Sequence, residues 1–481
     1  MLVGAGFAAQ MVLRELARPD SGHVAIGCVD DDLSKYGIKI HGIPVLGTID
    51  ELEAKAEVNS VDEVLIAIPS ASGKQMQRII DECQKTRLPF KTVPALTDII
   101  RGTANVSQFR DVQLEDLLGR DPVTIDLEAV CRHLADAVVV VTGAAGSIGS
   151  ELCRQILDYA PAKLLCIDQN ETGIFYLQQE LRKQPGKTEL VCCVADVGDS
   201  DRMRRCFSDH KIDYIFHAAA YKHVPVMEEN VAEAIRNNVF TLQGLLDIAE
   251  EQGCRGFLLI SSDKAVNPTS VMGTSKRIGE LILASRPRKT MRCVSVRFGN
   301  VLGSSGSVVP ILQEQLRNGK ALTITHPEIR RFFMTTHEAV SLVLQAFTIG
   351  RDGDILVLEM GIPVRILDMA RTLIHLSGKS EALVPIEFTG LRPGEKLEEE
   401  LFYHHERILP TSCDKIKQTS GSSRDWTLLC AQLGELRASL TVDGAAPIRA
   451  KIKQIVPEYS ISADNQSVPT EGHFHAVAGS D

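Results

Sequence analysis

Val138-Val139-Val140-Val141-Thr142-Gly143-Ala144-Ala145-Gly146-Ser147-Ile148-Gly149 decides the fold of this chain. A β-branched apolar run reads as a strand buried on both faces. Three glycines follow at fixed spacing, and a helical pattern runs from Ser150 through Leu157. Gly143 permits the tight turn, Gly146 lets backbone approach a pyrophosphate, and Gly149 lets the helix pack on the strand. Backbone N–H groups at the helix start, around Ser147 and Ile148, are placed to hold phosphates. Asp168 ends the next strand about 20 residues beyond Gly149, where a carboxylate accepts from both ribose hydroxyls. That favours NAD, since Asp168 would repel a 2′-phosphate. Asp196-Val197 ends the third strand, where an adenine edge is met.

Outward from this motif, strand and helix alternate. Strands are expected at Lys163–Ile167, Glu189–Val194, Tyr214–Ala218, Gly256–Ser261 and Arg292–Arg297. Such alternation argues a parallel, doubly wound sheet. After Val301 the pattern is irregular, as in a smaller substrate-binding lobe. The N-terminus repeats the opening: Met1-Leu2-Val3-Gly4-Ala5-Gly6 is followed by a helical pattern through Leu16, with strands expected at Val24–Val29 and Glu63–Ala67. Its glycine pattern is degenerate. Asp30-Asp31-Asp32 follows the second strand, as a ribose partner or as a solvated acidic loop.

The organisation read from these patterns is α/β, with two Rossmann-like doubly wound domains. Residues 1–103 form the first, 104–136 a connector with helices at Gln113–Leu118 and Leu127–Leu134, and 137–415 the dinucleotide-binding domain with its lobe. Residues 416–481 form a C-terminal extension with a short helix at Ile448–Ile455 and a polar, disordered end.

A length of 481 residues requires more than one core. The net charge of −10 argues against nucleic-acid binding. No apolar run approaches the roughly 18 residues of a spanning helix, and no signal peptide is present. Met1-Leu2-Val3-Gly4 reads as the tail of a strand, so an upstream segment is expected. The 12 cysteines show no CxxC pair, which reads as buried, reduced thiols of a cytoplasmic protein. No His/Cys cluster has metal-ligand spacing, so no metal is expected.

His217-Ala218-Ala219-Ala220-Tyr221-Lys222-His223-Val224-Pro225, Ser262-Asp263-Lys264-Ala265-Val266-Asn267-Pro268, Arg297-Phe298-Gly299-Asn300-Val301-Leu302-Gly303-Ser304-Ser305-Gly306-Ser307-Val308 and Gly390-Leu391-Arg392-Pro393-Gly394-Glu395-Lys396 are specific motifs. Through them the chain resembles the polysaccharide-biosynthesis nucleotide-sugar epimerase/dehydratase family of extended short-chain dehydrogenases. It is most similar to the cytoplasmic part of the membrane-anchored UDP-N-acetylglucosamine 4,6-dehydratases, from residue 1 to about 415. The first segment also resembles the nucleotide-sugar-binding half of some sugar acyltransferases.

The resemblance implies NAD as cofactor and a UDP-amino sugar as substrate. It also implies a homo-oligomer, tethered to the cytoplasmic face of a bacterial inner membrane. Ala218, Ala219 and Ala220 would line the cofactor. Lys222, Asn300, Ser307, Arg331, Arg392 and Glu395 would hold the UDP-sugar, with both arginines meeting the diphosphate. The superfamily's Tyr-x-x-x-Lys is here Met272-Gly273-Thr274-Ser275-Lys276. Lys276 can still bind the nicotinamide ribose, but Met272 cannot move a proton. Proton transfer then falls to Ser262, Asp263 and Lys264. By resemblance Asp263 is the acid at the C6 hydroxyl, Lys264 the base at C5, and Ser262 the partner of the C4 hydroxyl. Lysine serves as a base only where burial or nearby positive charge lowers its pKa, and Asp263 opposes this. A UDP-sugar 4-epimerase, or a non-catalytic nucleotide-sugar sensor or scaffold, would share the fold and cofactor.

Overall fold

A computed structural model describes residues 1–18, 21–71, 73–94, 109–112, 116, 125–287, 290–377, 379, 383–420 and 423–460. The helix expected at Gln113–Leu118, apart from Asp116, and the polar end after Ser460 lie outside the described residues.

The valine-rich run forms the strand Val138–Thr142, which lies within a nine-stranded sheet. In spatial order the strands are Glu189–Val194, Lys163–Asp168, Val138–Thr142, Tyr214–His217, Gly256–Ile260, Arg292–Arg297, Ile355–Leu358, Ile416–Ser420 and Arg407–Pro410. The first seven run parallel. Chain order reverses between Val138–Thr142 and Tyr214–His217. That switch point opens a crevice at the carboxyl ends of the two strands, where such sheets bind dinucleotides. Helices cover both faces. One core contains Val140, Leu165, Ile215 and Phe257 with Leu242 and Ile278, the other Val139, Val141, Phe216 and Val294 with Leu152 and Phe347.

The irregular segment after Val301 builds its own apolar core. Leu312 and Leu316 of the helix Val308–Arg317 pack with Leu322, Phe333, Ala370 and Ile374. Short ladders tie it together, among them Leu322–Ile324 with Ile386–Phe388 and Arg330–Arg331 with Val364–Arg365.

The first domain is a second doubly wound sheet of seven short strands, with Leu2–Val3 between Cys28–Val29 and Val64–Ile66. The strand expected at Val24–Val29 shortens to Cys28–Val29, and Val24 is exposed. Both boundaries of the expected connector need correction. Arg110–Asp111 pairs antiparallel with Phe90–Thr92 and so belongs to the first sheet. The helix Leu127–Leu134 buries Val130 and Leu134 in the core of the second.

The separate C-terminal extension is likewise corrected. Ile416–Ser420 joins the main sheet beside Ile355–Leu358. Helices Trp426–Ser439 and Ala445–Ile455 bury Leu429, Leu433, Leu436, Ile448, Ile452 and Ile455 against the same core as Ile278 and Leu281. All twelve cysteines are free thiols. No helix among the described residues is long and apolar enough to cross a membrane, and no metal-ligating cluster occurs among them.

Candidate active site

The glycine turn is built as its spacing requires. Gly143 has φ +66°, and a Cβ there would lie 2.6 Å from the backbone nitrogen of Ala219. The turn therefore sits directly on the Ala218-Ala219-Ala220 loop at the switch point. A Cβ on Gly149 would lie 2.0 Å from the Gly143 carbonyl oxygen, which explains the third glycine. Gly146 begins the helix Ser147–Leu157 with no side-chain cap, leaving the N–H groups around Ser147 and Ile148 to face an anion.

Asp168 accepts from Ala145 N–H at 3.0 Å and from Asn170 N–H at 2.9 Å, so its carboxylate is fixed beside the turn. Asp196 accepts from Gly198 N–H at 2.8 Å, while Val197 is buried in the core. Together these residues fit a dinucleotide: a cradle that a Cβ would fill, a helix N-terminus and a fixed ribose carboxylate.

At the end of the strand Gly256–Ile260 the chain turns through Ser262-Asp263-Lys264. Asp263 is completely buried. Its Oδ1 accepts from Ser262 Oγ at 2.9 Å, from Lys264 N–H at 2.8 Å and from Lys264 Nζ at 3.0 Å. Its Oδ2 has no hydrogen-bond partner. Lys264 Nζ also donates to Asn300 Oδ1 at 3.1 Å and lies 3.7 Å from Glu399 Oε1. Burial alone would lower the pKa of Lys264, but the charges of Asp263 and Glu399 outweigh it and raise the value. The lowered pKa that would let Lys264 act unaided as a base is therefore not what the resting site provides. Asn300, expected to hold the UDP portion, instead engages this lysine.

Met272 and Lys276 lie on the helix Val271–Ser285, both buried. Met272 belongs to the apolar core, so nothing at the tyrosine position carries a proton. Lys276 Nζ donates to the Ile260 carbonyl at 3.0 Å, and burial pushes its pKa down to about 8 against the pull of Glu280. Burial and then the charge of Lys276 press the His217 imidazole down to about 3. It stays neutral, with Nδ1 2.8 Å from Thr142 Oγ1.

Sequence reasoning missed three features. The first is Asn238, on a π-helical turn over Arg236–Phe240, which bonds Tyr221 N–H and C=O at 2.9 and 3.0 Å and Ser275 Oγ at 2.9 Å. It ties the post-strand loop to the helix of Met272, and π turns recur at functional sites. The second is a buried ionic quartet beneath the turn. Arg297 bridges Glu280 at 2.7 and 2.8 Å and Glu406 at 2.8 and 2.9 Å, with Arg277 3.0 Å from Glu280. Glu280 accepts from Ser261 at 2.6 Å, and Tyr403, stacked by Arg277, donates to the Ala265 carbonyl at 2.7 Å. The third is Glu399.

The remaining expected substrate residues divide. Arg331 is buried, donating to the carbonyls of Arg330 at 2.7 Å and of Leu397 and Lys396 at 3.2 and 2.8 Å. Its expected part in meeting a diphosphate gives way to clamping this loop. Glu395 holds Arg392 at 3.2 Å, leaving that guanidinium more than half exposed. Lys222 is exposed, and His223 beside it lies so near Gly306 that a Cβ there would meet its ring at 2.5 Å. Burial, then Lys222 and Arg392, lower the pKa of His223, so both cations gather at one place. Ser307 stands at the N-terminal end of the helix Val308–Arg317 without capping it, its buried Oγ having no hydrogen-bond partner, and Ser305 N–H donates to Ser147 Oγ at 3.2 Å. The Gly303–Ser307 loop thus meets the start of the helix after the glycine turn directly.

In the first domain Asp30 accepts from Ala5 N–H at 2.6 Å and from Lys35 at 3.0 Å. Arg78 bridges Asp31 and Asp50, each at 2.6 Å, and Asp32 caps Ser34. The acidic triplet is thus spent on local pairs. A cleft of about 440 Å³ opens among Gly4, Phe7, Ile68, Ser70 and Arg78.

This sheet, switch point and lobe define an extended short-chain dehydrogenase of the dehydratase/epimerase type, an enzyme class that modifies nucleotide sugars. Residues 139–420 match the family described as "Polysaccharide biosynthesis protein", and residues 2–94 match a "CoA-binding domain". The chain belongs to the polysaccharide biosynthesis protein family. It is 40% identical over 436 residues to the probable polysaccharide biosynthesis protein EpsC of Bacillus subtilis, covering 89% of this chain and 72% of that protein. It is 41% identical over 411 residues to the capsular polysaccharide biosynthesis protein CapD of Staphylococcus aureus, covering 84% and 69%. Among solved structures it is similar to Pen from Bacillus thuringiensis, at 30% identity and TM-score 0.54, over 59% of this chain and 86% of that one.

Proposed function

We propose that this chain is an NAD-dependent UDP-N-acetylglucosamine 4,6-dehydratase serving bacterial surface polysaccharide synthesis. The observation that carries the reading is the Asp263–Lys264 ion pair with its fully buried carboxylate, together with Met272 where a proton-carrying tyrosine would stand. Epimerisation at C4 needs no acid at C6, whereas elimination of the C6 hydroxyl needs both an acid and a base. Bound NAD would supply the acceptor for the C4 hydride and return that hydride to C6. Gly143, Gly146, Ser147, Ile148, Asp168, Asp196, Val197 and the Ala218–Ala220 loop would hold it, with Lys276 at its ribose.

Lys222 and Arg392 would receive the diphosphate, with Ser307 close by. Ser262, bonded to Asp263, would take the C4 hydroxyl proton and pass it on to that carboxylate. Asp263 would then deliver the same proton to the departing C6 hydroxyl. Incubating the protein with UDP-N-acetylglucosamine and following the sugar by NMR tests the reading. A UDP-4-keto-6-deoxy amino sugar is expected, and a C4 epimer alone would refute it. The same reading tethers the enzyme to a cytoplasmic membrane face through a segment outside this chain, which rests on the family resemblance; cell fractionation checks it.

A further inference from the structure

Glu399 sits on the loop that follows the Gly390–Lys396 motif, and its side chain is only 4% exposed. One oxygen lies 3.7 Å from Lys264 Nζ, and the other has no hydrogen-bond partner. Asp263 also keeps an unpartnered oxygen. Two buried carboxylates therefore share one ammonium, and each has an oxygen in reserve.

Anchoring the loop does not explain Glu399. Arg331 already clamps the carbonyls of Lys396 and Leu397. Lys396 Nζ donates to the Val266 carbonyl at 2.8 Å, and Asn267 to Glu400 at 2.9 Å. A buried carboxylate with an idle oxygen costs stability unless it has another use.

Such a use exists in the proposed reaction, on which this inference rests. Lys264 cannot take the C5 proton while it is an ammonium, and Asp263 and Glu399 hold it in that form. We propose that Glu399 accepts the proton that Lys264 must shed, frees its amine to act at C5, and afterwards returns that proton. The atoms balance. The O4 proton passes through Ser262 and Asp263 to O6 and leaves in water. The C5 proton goes to the Lys264 amine and comes back to C5. The third proton only shuttles between Lys264 Nζ and Glu399, so none is consumed. Glu399 is a positioning residue, acting through Lys264.

The charges facing Glu399 are Lys264, Asp263, Arg331 and Lys396. Burial raises its pKa and the carboxylate of Asp263 adds to this, against the pull of the three cations. A carboxyl biased towards its neutral form is a suitable acceptor. Substrate docking would exclude water from the pair and favour the uncharged partners further.

The test uses the full chain with its cofactor, UDP-N-acetylglucosamine in deuterated water, and the variants E399Q and E399D. Wild type should incorporate deuterium at C5. E399Q should lose C5 exchange and water loss by roughly 10²–10³-fold, a usual worth of a positioned proton carrier. Its KM and cofactor content should be unchanged. Its exchange should rise about tenfold per pH unit on the alkaline side as bulk base deprotonates Lys264, whereas wild type should show a plateau.

E399D, with its carboxyl withdrawn by one methylene, should fall roughly tenfold and keep the plateau. An E399Q variant with wild-type rate and pH profile would overturn the role of Glu399 and leave the dehydratase reading intact. If E399Q does not fold, an E399D rate equal to wild type overturns it. A wild-type enzyme that never exchanges C5 and yields only the C4 epimer ends the dehydratase reading, and this inference with it.

Discussion

Lys276 donates its ammonium to the Ile260 carbonyl at 3.0 Å, tying the helix Val271–Ser285 to the strand that leads into the Ser262-Asp263-Lys264 turn. The contact comes at a cost, because burial lowers the pKa of Lys276 from 10.5 to about 8. Between these values the unfolded chain binds a proton that the folded chain has lost. Stability contributed by this group must therefore rise with pH from about 8 to 10.5, and the full penalty is present below 8. Urea unfolding without added cofactor should show that rise in wild type. In K276M the contribution should vanish, and an identical pH slope in both proteins would contradict the assignment.

Asp168 accepts from Ala145 N–H and so stands fixed beside the glycine turn, as the proposed ribose partner must. D168A should weaken NAD binding by about 1.5–3 kcal/mol, the scale of charged hydrogen bonds. Isothermal titration checks this, with D168N separating the lost charge from the lost acceptor. Preference for NADP over NAD in the wild type would count against Asp168 as the ribose partner.

The glycine turn and Asp168 were legible in the sequence because their meaning lies in short-range spacing. Val138–Thr142, the glycines and Asp168 all fall within one strand–turn–helix–strand unit. The strands Glu189–Val194 and Arg292–Arg297 were bounded as observed for the same reason: both are short apolar runs between turns. Glu399 and the quartet of Arg277, Glu280, Arg297 and Glu406 were not legible, since their partners come from segments that only the fold brings together. Arg331 misled because an arginine in a motif does not reveal whether its donors face a ligand or a backbone carbonyl. The strand Ile416–Ser420, paired on both sides, was hidden by its polar residues. Ile416 and Thr419, three apart and both buried where they pair with Leu358 and Ile355, give no strand-period signal in the sequence. In Trp426–Ser439, Leu428 is exposed while Leu429, Leu433 and Leu436 are buried, which blurs the helical stripe.

The quartet beneath the Ser262-Asp263-Lys264 turn makes a separate prediction for stability. Arg297 is fully buried and satisfies both Glu280 and Glu406. R297M should cost about 3–5 kcal/mol, because it leaves two buried carboxylates without the guanidinium that bridges them. Urea unfolding measures the loss. The double variant E280Q/R297M should be less destabilised than the single changes sum to, since it removes one of the stranded charges.

The proton-transfer groups give the sharpest prediction. Asp263 has one oxygen tied to Ser262 and Lys264 and one without a partner, so it is held in place yet able to exchange a proton. Lys264 is held by Asp263 and Asn300. D263N and K264A should each lose dehydration by roughly 10²–10⁴-fold, the worth of positioned acid–base groups. Cofactor content should survive, because neither residue touches the glycine turn or Asp168. The partial reactions separate the two roles. D263N should leave bound NAD oxidised and show neither C5 exchange nor water loss, because the O4 proton then has no acceptor and the 4-ketone does not form, whereas K264A should still reduce NAD. K264A should show neither exchange nor water loss, and raising the pH should not restore it, because no amine remains. M272Y should not raise activity, since the methionine lies within the packed core and a larger polar ring would have to displace its neighbours. Undiminished turnover in both D263N and K264A would remove the pair from the chemistry and require another acid and base in the cleft.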